Sequence, residues 1–377
     1  MLVGRSVYTH RTMFGDIFLL TERASLSVDG VELRWVFPND AAHCLPRKVR
    51  TGADVVGAWK QVLSRSLEVR AQVKTAPVVE LSGGMDSAQV GGSLSQLHTE
   101  VASYGLLVGG AAQKQQVQRR ESLVRRYGLN DTILPAMAFL PFSKDGARGQ
   151  FQPYSPYDEP YSEALSAIVS LIGADEGRVV YTGIGGDELV ALRSSELPPD
   201  IASIVAAPVA ALIGSADRAT RLVSEAGFDD AAPASVLWEP TLMAAACRAP
   251  VFLRNGFWPV NPLGDPTTLA FCESLPVQWR HDKRLFRQRL ARDGLDAAVQ
   301  RAVIRENFRQ VMDAALSKNI VPLLEGFLDE GLVLTDLDLV DAGVLRSEIR
   351  ARRERGKWPD WIYDIANTEA SLRSLLA

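Results

Sequence analysis

Two short glycine-rich stretches carry the residues of this chain best suited to chemistry. In the first, Val78-Val79-Glu80-Leu81-Ser82-Gly83-Gly84-Met85-Asp86-Ser87, a β-rich apolar run enters a Ser-Gly-Gly turn, and a helix-compatible segment follows to about Leu97. That order suits an anion. Glycines without Cβ let main-chain N–H groups approach it, and the new helix adds the positive end of its dipole. The ending is not Gly-Lys-Ser/Thr, so this is no Walker A loop. Asp86 stands near the turn instead, and an acid beside phosphates implies a Mg²⁺ ion between them. In the second stretch a buried run, Arg178 to Tyr181, enters Thr182-Gly183-Ile184-Gly185-Gly186-Asp187-Glu188-Leu189. One such turn could be a plain strand-turn-helix rich in small residues. Two, each carrying an aspartate, could bracket one Mg-nucleotide from two sides.

The elements that must position these turns follow from periodicity. Val55, Val56, Trp59, Val62, Leu63 and Leu67 recur at helical spacing, which predicts a helix from Asp54 to about Val69 leading into the first strand. A strand is expected at Val101 to Val108 and a helix at Gln115 to Tyr127, stopped by Gly128. Strand, helix and strand in succession imply parallel pairing and a doubly wound α/β core, whose ligands sit at the carboxyl ends of the strands. Phe139 to Tyr157 lacks periodicity and reads as a loop over the site or a solvated connection; a helix from Glu163 to Leu171 follows. Asn255 to Pro266 reads as a proline-punctuated loop before a helix at Thr268 to Leu275. Trp279 to Arg287 reads as the opening of a basic helix, which is either a solvated face or a neutraliser of phosphates.

The N-terminal 50 residues read as short strands: Leu2 to Tyr8, Asp16 to Leu20, and Ser25 to Val28 with Val31 to Phe37 flanking Asp29-Gly30, a hairpin signal. The expected division is a small β-rich segment, 1–53, and a main domain, 54–377. From Pro198 onward helices dominate, with an alanine-rich one at Ala202 to Ile213. Residues 320–377 carry no interpretable motif.

Composition narrows the function. A chain of 377 residues, 47% hydrophobic and 23% charged, is typical of a globular enzyme. Its net charge of -4 argues against nucleic acid as a partner. Cys44, Cys247 and Cys272 form no CxxC pair, and the four histidines have no metal-ligand spacing. Neither a leader-like segment nor a membrane-spanning run is visible, so a reducing, cytoplasmic setting is expected.

Over roughly residues 60 to 320 the ordered set of motifs resembles the synthetase domain of the asparagine synthetase family, with its β-lactam synthetase and lasso-peptide cyclase relatives. Ser82 to Ser87 is similar to the PP-loop of ATP pyrophosphatases. Asp158-Glu159-Pro160-Tyr161-Ser162 resembles the family's Asp-Glu-Pro-Phe-Ala segment, and Thr182 to Leu189 resembles its second signature. Asn261 to Pro266 resembles its Pro-Phe-Leu-Asp stretch, and Leu275-Pro276 followed by Lys283 to Arg287 resembles its Leu-Pro and basic helix. The resemblance implies an adenine nucleotide alpha hydrolase-like fold with a helical C-terminal part. It implies ATP and Mg²⁺ as cofactors, contacts to the nucleotide from Leu81, Ser82, Gly83, Gly84, Asp86, Ser87, Thr182, Gly183, Gly185, Gly186 and Lys283, and metal ligation by Asp86 and Asp187. The implied reaction adenylates a carboxylate and transfers it to an amine, in specialised-metabolite or modified-peptide (lactam or macrolactam) biosynthesis. The implied partners are that carboxylate and that amine; a homodimer or a biosynthetic partner protein stays open.

Three departures refine the expectation. Glutamine-using members carry a glutaminase domain with a cysteine directly after Met1, whereas Leu2 stands here, so an amine supplied directly is expected. Ile184 occupies the position of an acid or tyrosine and cannot accept a proton, which leaves Glu159 and Glu188 as the nearest general bases. Arg305 aligns with the family's lysine and keeps its charge; the alternative is a structural pair with Glu306 or Asp282. Two other functions stay open: a degenerate binding subunit without catalysis, and ammonia-dependent amidation of a free acid.

Overall fold

The computed structural model describes residues 12, 16–22, 24–36, 43–68, 76–173, 178–193, 196 and 237–376. The strand expected at Leu2 to Tyr8 and the alanine-rich helix at Ala202 to Ile213 lie outside them. The chain forms two compact units: Met1–His43, Ile204–Glu239 and Val321–Ala377 make one, and Cys44–Ser203 with Pro240–Ile320 the other.

In the first unit β1 (Ser25–Asp29) and β2 (Glu32–Val36) pair antiparallel with Asp29 opposite Glu32. Gly30 opens the two-residue turn at φ +59°, a conformation that costs glycine little. Asp16 to Leu20, expected as a strand, holds only an isolated bridge at Phe18.

The second unit holds α1 (Val55–Glu68), β3 (Val78–Glu80), α2 (Met85–Leu97), β4 (Ala102–Leu107), α3 (Gly110–Tyr127), β5 (Asn130–Pro135), α4 (Ser162–Ile172), β6 (Arg178–Tyr181), α5 (Gly186–Leu189), α6 (Glu239–Arg254), β7 (Phe257–Val260), α7 (Pro266–Glu273), α8 (Val277–Arg280), α9 (Arg284–Arg292), α10 (Ala297–Gln300) and α11 (Arg309–Ala315). Its five strands are all parallel, in the order β5-β4-β3-β6-β7. The chain winds outward from β3 in one direction and then returns to β6 on its other side. The expected doubly wound α/β sheet is therefore present, and its topological switch point lies between β3 and β6.

Two elements differ from expectation. β5 was not foreseen, since Asn130-Asp131-Thr132 gives a polar start. β7 lies inside the stretch read as a proline loop; Pro259 is compatible with a strand there because β7 is an edge, where a missing N–H breaks no ladder on the open side.

Packing of the two faces fixes which side chains meet. Wholly buried Trp59 of α1 stacks on Phe286 of α9 (5.5 Å between centroids) and Phe271 of α7 (6.0 Å), and its indole N–H donates to Gln89 of α2 at 3.0 Å. Val79 and Leu81 point to the α2 face, where an added methyl on Gly91 would meet both. The period-2 alternation of a strand then sends Glu80 to the opposite face, towards α6.

In the first unit's C-terminal part, α12 (Val321–Glu330), α13 (Val333–Asp336), α14 (Ala342–Arg355) and α15 (Trp361–Leu376) pack together. Wholly buried Glu369 of α15 accepts the N–H groups of Val333 (2.9 Å) and Leu334 (3.0 Å) and so caps α13. Among the described residues no helix is long and apolar enough to cross a membrane.

Candidate active site

The first glycine turn is built by its own hydroxyls. The Gly84 N–H donates to Ser82 Oγ at 3.1 Å, the Ser82 N–H donates to Ser87 Oγ at 3.2 Å, and the two hydroxyls lie 3.1 Å apart. Gly83 takes φ +93°, a conformation open to glycine, and an added methyl would come within 3.2 Å of Arg120 Cγ. From α3, Gln116 Nε2 donates to the Ser82 carbonyl at 3.0 Å while its Oε1 accepts from the Val108 N–H at 2.9 Å, tying the turn to the end of β4. The α2 N-terminus is thereby presented to the crevice with its N–H groups forward.

The second turn touches the first. A methyl on Gly183 would stand 2.6 Å from the Ser87 nitrogen, and one on Gly186 would stand 2.5 Å from Asp86 Cβ. These glycines are therefore required by the close approach of the two loops. Gly185 takes φ +95°, and Thr182 Oγ1 donates to Asn261 at 2.6 Å while accepting from the Ile184 N–H at 3.2 Å.

Asp86 and Asp187 meet at a single cation. Lys283 Nζ lies 2.7 Å from both Asp86 oxygens and 2.5 Å from Asp187 Oδ1. Burial pushes the Asp86 carboxyl up to about 6, against the pull of Lys283 and with added repulsion from Asp187 and Glu188. Burial works against the Lys283 charge too, but the two aspartates outweigh it and hold the ammonium above its usual range. Lys283 reaches the pair from a strained backbone: Asp282 (φ +53°) and Lys283 (φ +51°) are consecutive non-glycine residues in the left-handed region, just before α9. Asp187 is 76% exposed, so the carboxylate pair opens to solvent on that side.

This donor set fits a Mg²⁺ ion. An ammonium already bridges the carboxylates, so the spot favours positive charge, and two carboxylates match an ion that draws its remaining ligands from phosphate and water. Among the described residues no group of three or more His, Cys, Asp or Glu could hold a metal by itself.

The other expected residues fall as follows. Leu81 is wholly buried on the α2 face, leaving its main chain alone to face a ligand. Glu188 is half-buried and near enough to Asp86 to repel it. Glu159 lies 3.2 Å from Arg248 Nε and accepts the Tyr161 N–H at 3.2 Å. Arg305 is exposed and pairs with neither Glu306 nor Asp282. Glu306 instead binds Arg119 at 2.9 Å, and Asp282 binds Arg287 (2.6 Å) and Arg301 (2.8 Å). The loop carrying Arg305 is held by Gln115, whose amide accepts the N–H groups of Val303 (2.7 Å) and Ile304 (3.0 Å) and donates to the Ile304 carbonyl (2.8 Å) and Glu306 (3.0 Å). Phe308 packs on Tyr161 at 4.7 Å, so the Arg305 loop and the Asp158–Ser162 segment adjoin.

The irregular stretch from Phe139 to Tyr157 is pinned to the start of α4. Buried Arg148 pairs with Glu163 and lies over the Phe142 ring at 4.6 Å, and Glu163 also accepts the Phe142 N–H at 3.0 Å. A cavity of about 350 Å³ remains beside it, with Arg148, Tyr154, Asp158, Glu163 and Arg254 among its walls.

A half-buried ionic cluster on the face opposite α2 was not foreseen from the sequence. Arg248 of α6 grips Glu80 with both terminal nitrogens at 2.7 Å and approaches Glu159 from its Nε. The available signal was Glu80 itself, a charge within an apolar strand that had to find a partner.

No protein-family model and no curated protein matches the chain. Among solved structures it is similar to the NH3-dependent NAD synthetase from Campylobacter jejuni subsp. jejuni NCTC 11168 in complex with the nitrate ion, at 16% identity over 67% of this chain and 98% of that one. The TM-score is 0.25.

Proposed function

We propose that the chain is an ATP-dependent, AMP-forming carbon–nitrogen ligase that activates a carboxylate as its acyl-adenylate and passes the acyl group to an amine. The observation that supports this reading most is the meeting of Asp86 and Asp187 on the Lys283 ammonium, between two touching glycine turns at the switch point of a parallel sheet. In this reading the N–H groups of Gly83 and the α2 start receive phosphate oxygens, and Ser82, Ser87 and the Gly84 N–H bonded to Ser82 fix the turn that presents them. Asp86 and Asp187 would hold Mg²⁺, which supplies charge neutralisation for the departing pyrophosphate. Lys283, released from the carboxylates, turns to a phosphate oxygen. Thr182, Gly183, Gly185 and Gly186 line the nucleotide, and Arg305 supplies positive charge to the acyl-transfer step. Glu159 or Glu188 receives the proton that the amine loses, since Ile184 cannot. Specialised-metabolite or modified-peptide substrates remain the expected class.

Incubation with ATP, Mg²⁺ and a panel of carboxylic acids, with nucleotide and phosphate products identified separately, tests the proposal. AMP and pyrophosphate are expected. ADP and phosphate would exclude the mechanism, and no turnover with any acid would leave the degenerate binding subunit.

A further inference from the structure

The cluster around Arg248 has the chemistry of a binding site for a cation. Two carboxylates, Glu80 and Glu159, surround one guanidinium, so the group carries a net negative charge. The guanidinium is largely spent: its two terminal nitrogens are taken by Glu80, and its Nε points at Glu159 outside hydrogen-bond geometry. Phe252 packs at 5.6 Å from Arg248 Cζ. Each carboxylate oxygen keeps an unused lone pair.

A separate observation singles out the spot. Tyr104, opposite Glu80 in the register of β3 and β4, is 0% exposed, and its hydroxyl has no hydrogen-bond partner among the described residues. Register partners in adjacent strands project to the same face of the sheet, so Tyr104 lies on the side that carries Glu80 and Arg248. A buried hydroxyl without a partner is costly and rare in a folded protein. Its presence is accounted for if a ligand donor or acceptor completes it. Glu80 and Glu159 are each partly exposed, so the cluster is reachable from solvent.

We infer that Glu80, Glu159 and the Tyr104 hydroxyl form the subsite that receives the amine substrate as a primary ammonium. Three N–H donors of such a group match two carboxylates and one hydroxyl, and the net charge selects a cation over an anion. The location is suitable: Glu80 ends the strand that leads into Ser82, and Glu159 belongs to the segment whose Tyr161 packs on the Arg305 loop. Before attack the ammonium must lose one proton; Glu159 takes it, breaking N–H and forming O–H. The inference rests on the ligase reading, because it assigns the second substrate of that reaction.

Ligand-observed NMR titration of the full chain with ethylammonium, and in parallel with acetate, tests it without knowledge of the natural amine. Tyr104→Phe is the decisive variant: it removes a hydroxyl that no described residue uses, so a purely structural cluster predicts unchanged or higher thermal stability and no change in binding. The inference expects ethylammonium affinity to fall about fivefold in Tyr104→Phe and about tenfold or more in Glu80→Gln and Glu159→Gln, with Tyr104→Phe melting no lower than the wild type. Equal ethylammonium affinity in Tyr104→Phe, preference for acetate, or no ethylammonium binding by the wild type would each overturn it. Mg-ATP titration of the wild type separates the two ideas: nucleotide binding without ethylammonium binding sinks the subsite alone, and absence of nucleotide binding sinks the ligase reading.

Discussion

Asp86 and Asp187 carry the account at the scale of single residues. Each is replaced isosterically by asparagine, which keeps the shape and removes the charge. Asp86→Asn and Asp187→Asn should each lower pyrophosphate release by about 100-fold or more, with circular dichroism and melting close to wild type; near-normal release in either variant would remove that residue from its role. Gly183 tests the contact between the turns. A methyl 2.6 Å from the Ser87 nitrogen forces main chain against main chain, so Gly183→Ala should cost roughly 1–3 kcal/mol of stability and weaken Mg-ATP binding by about tenfold. Chemical denaturation and calorimetric titration read the two effects. These residues were legible because motif and chemistry lie together in the chain. Lys283 as a bridge was less so: nothing local announces two successive left-handed residues, and only the folded chain shows what that backbone holds in place.

At the scale of elements, α3 does more than cover the sheet. Gln116 holds the Ser82 turn, and its neighbour Gln115 holds the loop of Arg305, so one helix sets both. Gln115→Ala should release residues 303–306 while the sheet persists. Hydrogen exchange at Val303 and Ile304 should quicken by about tenfold or more, at a stability cost of roughly 1–3 kcal/mol; unchanged protection there would show that the amide does not hold the loop. The glutamine-rich helix was visible in the sequence from Gln115 onward, but its first turn was not. Gly110 through Lys114 lacks the apolar spacing that marks a helix, and the start is set by Gly109 and Gly110 at φ +81° and +61°. β5 and β7 were missed for related reasons. Polar Asn130 to Thr132 and the prolines around Trp258 argue locally against strands, and pairing with β4 and β6 overrides them.

Across the whole molecule, alternation of strands and helices was enough to read the parallel sheet and the crevice at its switch point. The Arg248 cluster was not, because residues 80, 104, 159 and 248 come from four separate elements and share no sequence pattern. A half-buried acid also marks the C-terminal helix. Burial, with repulsion from Asp360, pushes the Asp364 carboxyl up to about 6 from an ordinary value of 3.8. A raised carboxyl binds its proton more tightly in the folded chain, so its contribution is fully present below about pH 4 and is lost as the pH rises through about 6. Asp364→Asn should therefore melt like the wild type at pH 4 and gain on the order of 1–2 kcal/mol at pH 8; an equal difference at both pH values would contradict the burial effect. The nucleotide site itself is tested most directly by a crystal structure with Mn²⁺ and an ATP analogue that resists α,β cleavage. The account predicts an anomalous manganese peak about 2.1–2.3 Å from carboxylate oxygens of both Asp86 and Asp187, with Lys283 Nζ moved off them onto phosphate; a triphosphate bound elsewhere, or Lys283 still bridging the two aspartates beside a bound nucleotide, would contradict it.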